Sequence, residues 1–352
     1  MPKTMENPWR GLGLNLDAPR PIATADAIGQ LLAQCPAHAP TPLRAVPELA
    51  ARVGVARIDL KDERARMGLG SFKALGAAHV IAREAAAQVT ADAPAQEWTR
   101  ALDGRVYVTA SAGNHGLSVA AGARLFGARA VIYLSQTVPE PFARRLAAMG
   151  ADVVRAGADY EASMNAAADA AQSQGWTLLS DSSWPGYTEL PLRVMEGYTQ
   201  LAAEAASQID TPPSHILLQA GVGGLAAAVA AHARHVWGDV PQIIVVEPEA
   251  APALIDSIRA GKVVDTQGPT SCMGRLDCKT PSMIALQGLA QDADLFTTIT
   301  EEEAQQAVED LAALDLASTP SGAAGIAALI AGLDLPADAR VLAILSEGPE
   351  DA

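Results

Sequence analysis

Apolar and polar positions change rhythm repeatedly along this chain, and each change marks an element. Residues 55–60 alternate in strand fashion and deliver Lys61, Asp62 and Glu63 at their end. Residues 105–109, 130–134, 152–154, 216–219, 243–247 and 341–345 are short apolar runs bounded by polar or glycine-rich sequence. Continuous runs of that length suit strands buried on both faces. Helical spacing fills the intervals: 74–88, a stretch closing at Leu125, 139–149, 158–174, 191–207, an alanine-rich stretch after Gly224, and 324–331. Strands alternating with helices predict an α/β protein with open, mostly parallel twisted sheets layered with helices, in two lobes. Residues 1–40 read as irregular, with one helical patch at 24–35 that Pro36, Pro40 and Pro42 break. Residues 41–54 read as a short helix closed by Gly54.

Composition narrows the function classes. The 352 residues suffice for two domains or one large one, and 49% hydrophobic content is that of a globular protein. A formal charge of −15 argues against nucleic acid as a partner, because phosphate binding needs a basic face. No apolar run reaches membrane-spanning length and the opening residues do not form a signal peptide, so no membrane association and a cytoplasmic location are expected. Three cysteines make no disulfide framework; Cys272 and Cys278 lie six apart, and the sequence leaves their pairing open. The six histidines form no metal-binding cluster, so no metal is expected.

Chemistry enters at the glycine-punctuated stretch 68–76, where Lys73 sits between Phe72 and Ala74. Lysine seldom goes inside unless its charge is paired or used, so Lys73 is either an ordinary helix-surface residue or an amine placed for chemistry. Gly221, Val222, Gly223, Gly224 and Leu225 follow one strand and open a helix. Such a turn can cradle a phosphate on backbone amides, form a dinucleotide fingerprint with Glu247 as the ribose-binding acid, or simply let helix and sheet approach. Ser111, Ala112, Gly113, Asn114 and His115 follow another strand, and their amides suit a carboxylate; His115 also reads as a packed histidine. Asp181 and Ser346 each end a strand, where a turn or capping role is the commoner one. In a parallel sheet all strand carboxyl ends share one edge, so these loops can converge. An amine, a phosphate cup, a carboxylate loop and a hydroxyl at one edge suit pyridoxal 5'-phosphate, which needs an amine for its aldehyde and a partner for its ring nitrogen.

These motifs, in this order, resemble those of the fold type II (tryptophan synthase β-like) pyridoxal-phosphate enzymes, the group of the threonine and serine dehydratases. Ser71-Phe72-Lys73 looks like the Schiff-base motif, residues 111–115 like the S-x-G-N-H loop, and residues 221–225 like the phosphate loop. Within the group the chain is most similar to the 2,3-diaminopropionate ammonia-lyases. Residues 61–64 with 68–76, residues 181–189, residues 274–281 and residues 346–351 resemble that subfamily's motifs. Two departures stand out: Ala112 replaces an aspartate that serves as a base for one substrate enantiomer, and Gly70 replaces an asparagine.

The resemblance implies a lyase that eliminates the β-substituent of an amino acid and releases ammonia and a 2-oxo acid. A hydroxy-amino-acid dehydratase or a racemase on the same scaffold is the alternative. It implies Lys73 and Asp181 as catalytic groups. Asn114, residues 221–225 and Ser346 would join Lys73 in holding the cofactor, and residues 111–115 would bind the small amino-acid substrate. It also implies a homodimer, a large cofactor-binding domain of residues 1–67 and 159–352, and a smaller mobile domain of residues 68–158.

Overall fold

The computed structural model describes residues 2–33, 35, 37–90 and 93–349; Glu350 and Asp351, the end of the last motif, lie outside them. The chain runs β1 (Lys3–Glu6), α1 (Asp26–Leu32), β2 (Leu43–Ala45), α2 (Pro47–Val53), β3 (Arg57–Asp62), a 3₁₀ segment (Glu63–Gly68) and α3 (Ala74–Ala86). It continues through α4 (Ala95–Trp98), β4 (Val106–Ala110), α5 (Asn114–Leu125), β5 (Arg129–Leu134), α6 (Glu140–Ala148), β6 (Asp152–Arg155), α7 (Tyr160–Gln174) and β7 (Thr177–Leu178). Then come α8 (Glu189–Gln208), β8 (His215–Gln219), α9 (Gly224–Trp237), β9 (Gln242–Pro248), α10 (Ala253–Ala260), α11 (Met283–Asp292), β10 (Leu295–Ile299), α12 (Glu301–Ala312), α13 (Pro320–Ile330) and β11 (Arg340–Leu345).

Among the described residues these strands form two sheets. Seven lie in the order β1-β10-β9-β8-β11-β3-β2 and four in the order β6-β5-β4-β7. Every pairing is parallel except the two at the edges of the larger sheet, β1 with β10 and β2 with β3. The continuous apolar runs have the reason expected of them: alternate residues enter different cores. Ile216, Leu218, Ile243, Val245, Leu342 and Ile344 join one core, while Leu217, Ile244, Val341, Ala343 and Leu345 join another on the opposite face. Helices α8 and α9 cover the first face and α13 the second, which gives the three layers. The smaller sheet repeats this arrangement, with α7 packed against Val108, Ala110 and Val131 and α5 on the other side.

Three features differ from the sequence reading. β1 is a strand inside a region read as irregular; it lies at an edge, exposed apart from the half-buried Met5, and so leaves no apolar run to read. The stretch 41–54 splits into strand β2 and helix α2; Gly54 does close the helix, in a left-handed conformation with φ of 77°. Helix α7 and strand β7 lie with the four-stranded sheet, so that layer continues past residue 158, where the domain boundary was expected.

The segment just before Lys73 is anchored by charges buried together. Lys61 and Arg66 both reach Glu204 on α8, at 2.8 and 2.7 Å, and Arg66 also holds Glu63 at 2.7 Å. Lys61, Glu63 and Arg66 are fully buried. Two cations against two anions leave the cluster neutral, which is what makes its burial tolerable. Removing one partner would strand the others.

Candidate active site

The larger sheet places β8, β11 and β3 side by side, so the segments after their carboxyl ends are neighbours. Those segments are residues 221–225, Ser346 and the stretch leading to Lys73. In the smaller sheet β4 and β7 are adjacent, and they deliver residues 111–115 and Asp181. The two sets meet. Asp181 accepts a hydrogen bond from the Lys73 ammonium, and Asn114 Nδ2 donates to Glu347 Oε2. The end of β11 is also stitched to the lysine's own loop: Phe72 N–H donates to the Ser346 carbonyl at 3.0 Å, and Gly348 N–H to the Gly70 carbonyl at 3.0 Å.

Lys73 caps the start of α3, and its ammonium lies 5.3 Å from the ring centre of Phe72 and 5.7 Å from that of Tyr198. Burial works against its charge, but the Asp181 carboxylate outweighs it and holds the lysine above its ordinary pKa. Burial likewise pushes Asp181 up, and Lys73 with His115 overcomes that push, leaving Asp181 below the ordinary carboxylate range. The two groups form an ion pair at neutral pH.

In the asparagine loop the Ser111 hydroxyl accepts from Gly113 N–H at 3.3 Å, and Gly113 leads into α5. A side chain on Gly116 would stand 2.3 Å from the Ser111 carbonyl oxygen, so the turn is tight enough to require glycine there. His115 is buried and its Nε2 bonds the Leu179 carbonyl at 2.8 Å; burial lowers its pKa. It therefore holds the loop as a packed, neutral histidine. Ala112 is half-buried and offers no ionisable group.

Residues 221–225 form the N-terminus of α9, where unpaired amides and the helix dipole favour an anion. Gly223 has φ of 96°, and a Cβ on Gly221 would stand 2.9 Å from Leu276 Cα and 3.1 Å from the Arg275 carbonyl. This tight glycine cradle, with the Lys73 amine and the buried Ser346, fits pyridoxal phosphate. Glu247 does not serve a ribose: its carboxylate accepts from the Leu254 and Ile255 amides at 2.7 and 2.9 Å at the start of α10.

Two contributors were not read as functional in the sequence. Glu347 accepts from Asn114 and Thr319 and pairs with Arg275 Nε at 3.1 Å, which ties the asparagine loop to the larger sheet. Its place directly after Ser346 was the available signal. Tyr198 lies in the middle of α8, outside every motif, and nothing in the periodicity singled it out. Cys272 and Cys278 are free thiols; burial pushes Cys278 up to about 11.

Comparison with known proteins agrees with this geometry. Residues 35–347 match the model of the family described as pyridoxal-phosphate dependent enzyme. Diaminopropionate ammonia-lyase of Salmonella typhimurium is 31% identical over 351 residues, covering 89% of this chain and 86% of that one. Human L-serine dehydratase/L-threonine deaminase is 31% identical over 277 residues, 78% of this chain and 76% of its own. The crystal structure of Escherichia coli diaminopropionate ammonia lyase in complex with D-serine superposes with a TM-score of 0.89 at 28% identity, covering 100% of this chain and 95% of that one.

Proposed function

The chain belongs to the pyridoxal-phosphate-dependent enzyme family and is an ammonia-lyase within it, and we propose that its substrate is one enantiomer of 2,3-diaminopropionate. The observation that carries this reading is the pairing of Lys73 with Asp181 in a site whose asparagine loop has Ala112. Lys73 and Asp181 are then the available bases, and the asparagine loop supplies no carboxylate.

Bound pyridoxal phosphate supplies the aldehyde that Lys73 holds and an electron sink for the substrate α-carbon. The chain's own groups do the rest. Amides of residues 111–115 would bind the substrate carboxylate, Asn114 and Ser346 would hold the cofactor ring, and residues 221–225 would hold its phosphate. Lys73, as a neutral amine, or the Asp181 carboxylate beside it takes the proton from the α-carbon. Loss of the β-amino group and hydrolysis of the remainder convert diaminopropionate and one water to pyruvate and two molecules of ammonia. The layer around the smaller sheet moves against the larger one to admit substrate, and the protein works as a cytoplasmic homodimer.

Pyruvate and ammonia release from the separate D and L forms tests this reading. Turnover of one enantiomer is expected; equal kcat/KM for both, or for neither, overturns it. A hydroxy-amino-acid dehydratase is the second reading, favoured by the loop Ser111-Ala112-Gly113-Asn114-His115 without its acid. Faster 2-oxo acid release from serine or threonine than from diaminopropionate would establish it instead.

A further inference from the structure

Tyr198 has a buried hydroxyl with no hydrogen-bond partner among the described residues, and it faces the reactive lysine. The side chain is 1% exposed. A buried polar atom left unpaired costs roughly 1–3 kcal/mol, so its retention calls for a reason. Packing explains the ring but not the oxygen. The ring meets Phe72 edge-on with centres 4.9 Å apart and presents itself to the Lys73 ammonium. Phenylalanine would make the same contacts.

The surroundings hold the oxygen firmly in place. Helices α3 and α8 approach through two glycines: a Cβ on Gly197 would stand 2.3 Å from the Leu75 carbonyl oxygen, and one on Gly76 would stand 2.8 Å from the Tyr198 hydroxyl. A Cβ on Gly224, at the start of α9, would lie 3.6 Å from the other edge of the ring. Tyr198 is thus wedged among the lysine's helix, the phosphate loop's helix and Phe72, with no room to turn away. The charges that act on its hydroxyl are Lys73 and Asp181; burial holds the phenol above its ordinary pKa, so it remains protonated.

We propose that Tyr198 is a positioning residue for Lys73: its hydroxyl oxygen accepts an N–H from the lysine nitrogen and turns that nitrogen's lone pair toward the substrate. This rests on the reading of Lys73 as the cofactor-bearing lysine. Whenever the cofactor would not be held by it, the lysine side chain would be an amine mobile on a four-carbon stem, and only its neutral form could take a proton. Asp181 binds it best as an ammonium, the form that cannot accept a proton. An acceptor on the ring side orients the neutral form instead. As a hydrogen-bond acceptor, the same oxygen would favour a protonated lysine nitrogen in the cofactor-loaded enzyme.

The test is Tyr198→Phe in the holoenzyme. Substrate-free enzyme is titrated with acid and base while the absorbance of the bound cofactor is followed, and kcat and KM are measured per loaded site. Expected are full cofactor loading, unchanged thermal stability, a titration midpoint at least half a pH unit lower, and kcat reduced about tenfold with KM within twofold. An unmoved midpoint with kcat within twofold of the parent overturns the proposal. So does lost cofactor loading with normal kcat per loaded site, which would make the hydroxyl a cofactor-holding group. Lys73→Ala separates this from the underlying reading: if that variant keeps the parent's cofactor absorbance, the assignment of Lys73 itself fails.

Discussion

Lys73 and Asp181, 108 positions apart in sequence, form an ion pair across the meeting line of the two sheets. One comes from the loop that follows β3 of the larger sheet, the other from the loop that follows β7 of the smaller. The pair exists only when both layers are folded and in contact. Asp181→Asn keeps the shape and removes the charge. A positioned acid or base contributes about 10²–10⁴-fold, so kcat/KM should fall by at least about a hundredfold while the cofactor stays bound. Steady-state pyruvate release and cofactor absorbance check both parts; a loss under threefold would remove Asp181 from the mechanism.

Ala112 makes the complementary case. The loop is held by the Ser111 hydroxyl, the buried His115 and the close approach at Gly116, none of which involves the alanine side chain. Ala112→Asp should therefore fold, and should give measurable turnover of the enantiomer that the parent rejects. Chiral substrate depletion is the readout. An unchanged preference would mean that the missing carboxylate is not what restricts the enzyme.

The phosphate loop gives a binding prediction. A methyl group on Gly221 would press on backbone atoms of residues 275 and 276, which cannot move aside as a flexible side chain could. Overpacking of this kind costs about 1–3 kcal/mol. Gly221→Ala should weaken cofactor binding about tenfold or more, measured by titrating the apoenzyme, with little effect on the rate of enzyme already loaded.

Glu247 sets a pH dependence of stability. Burial pushes its carboxyl up to about 8 despite the two amides that bind it. Because the folded-state value is the higher one, the contribution is fully present below the ordinary glutamate range and declines as pH rises through about 8. Linkage puts the whole change at a few kcal/mol at most. Thermal melts at pH 5, 7 and 9 should show a decline that Glu247→Gln flattens; parallel slopes in the two proteins would remove Glu247 as its source.

The legible parts of this protein were those whose physics is local. Residues 216–219, 243–247 and 341–345 are apolar throughout because both faces of each strand enter a core, and the loops after them carry compact, unusual sequence. Parallel topology then implied convergence without coordinates. β1 escaped because this edge strand is exposed apart from Met5, and residues 43–45 were absorbed into the helix that follows them. Tyr198 escaped for a different reason. Its significance lies in an oxygen without a partner, and the absence of a partner is a property of the folded surroundings, not of the residue or its spacing.

β11 occupies the middle of the larger sheet, between β8 and β3, yet it is made after every other strand described here. On the ribosome, β3 and β8 must wait for it with unpaired edges, and unpaired edges invite association between chains. The loop bearing Lys73 waits too, since its Phe72 amide and its Gly70 carbonyl bond the segment that ends that strand. Cofactor capture therefore has to wait until β11 has been made, and a chain stopped before residue 340 should emerge both cofactor-free and prone to aggregate.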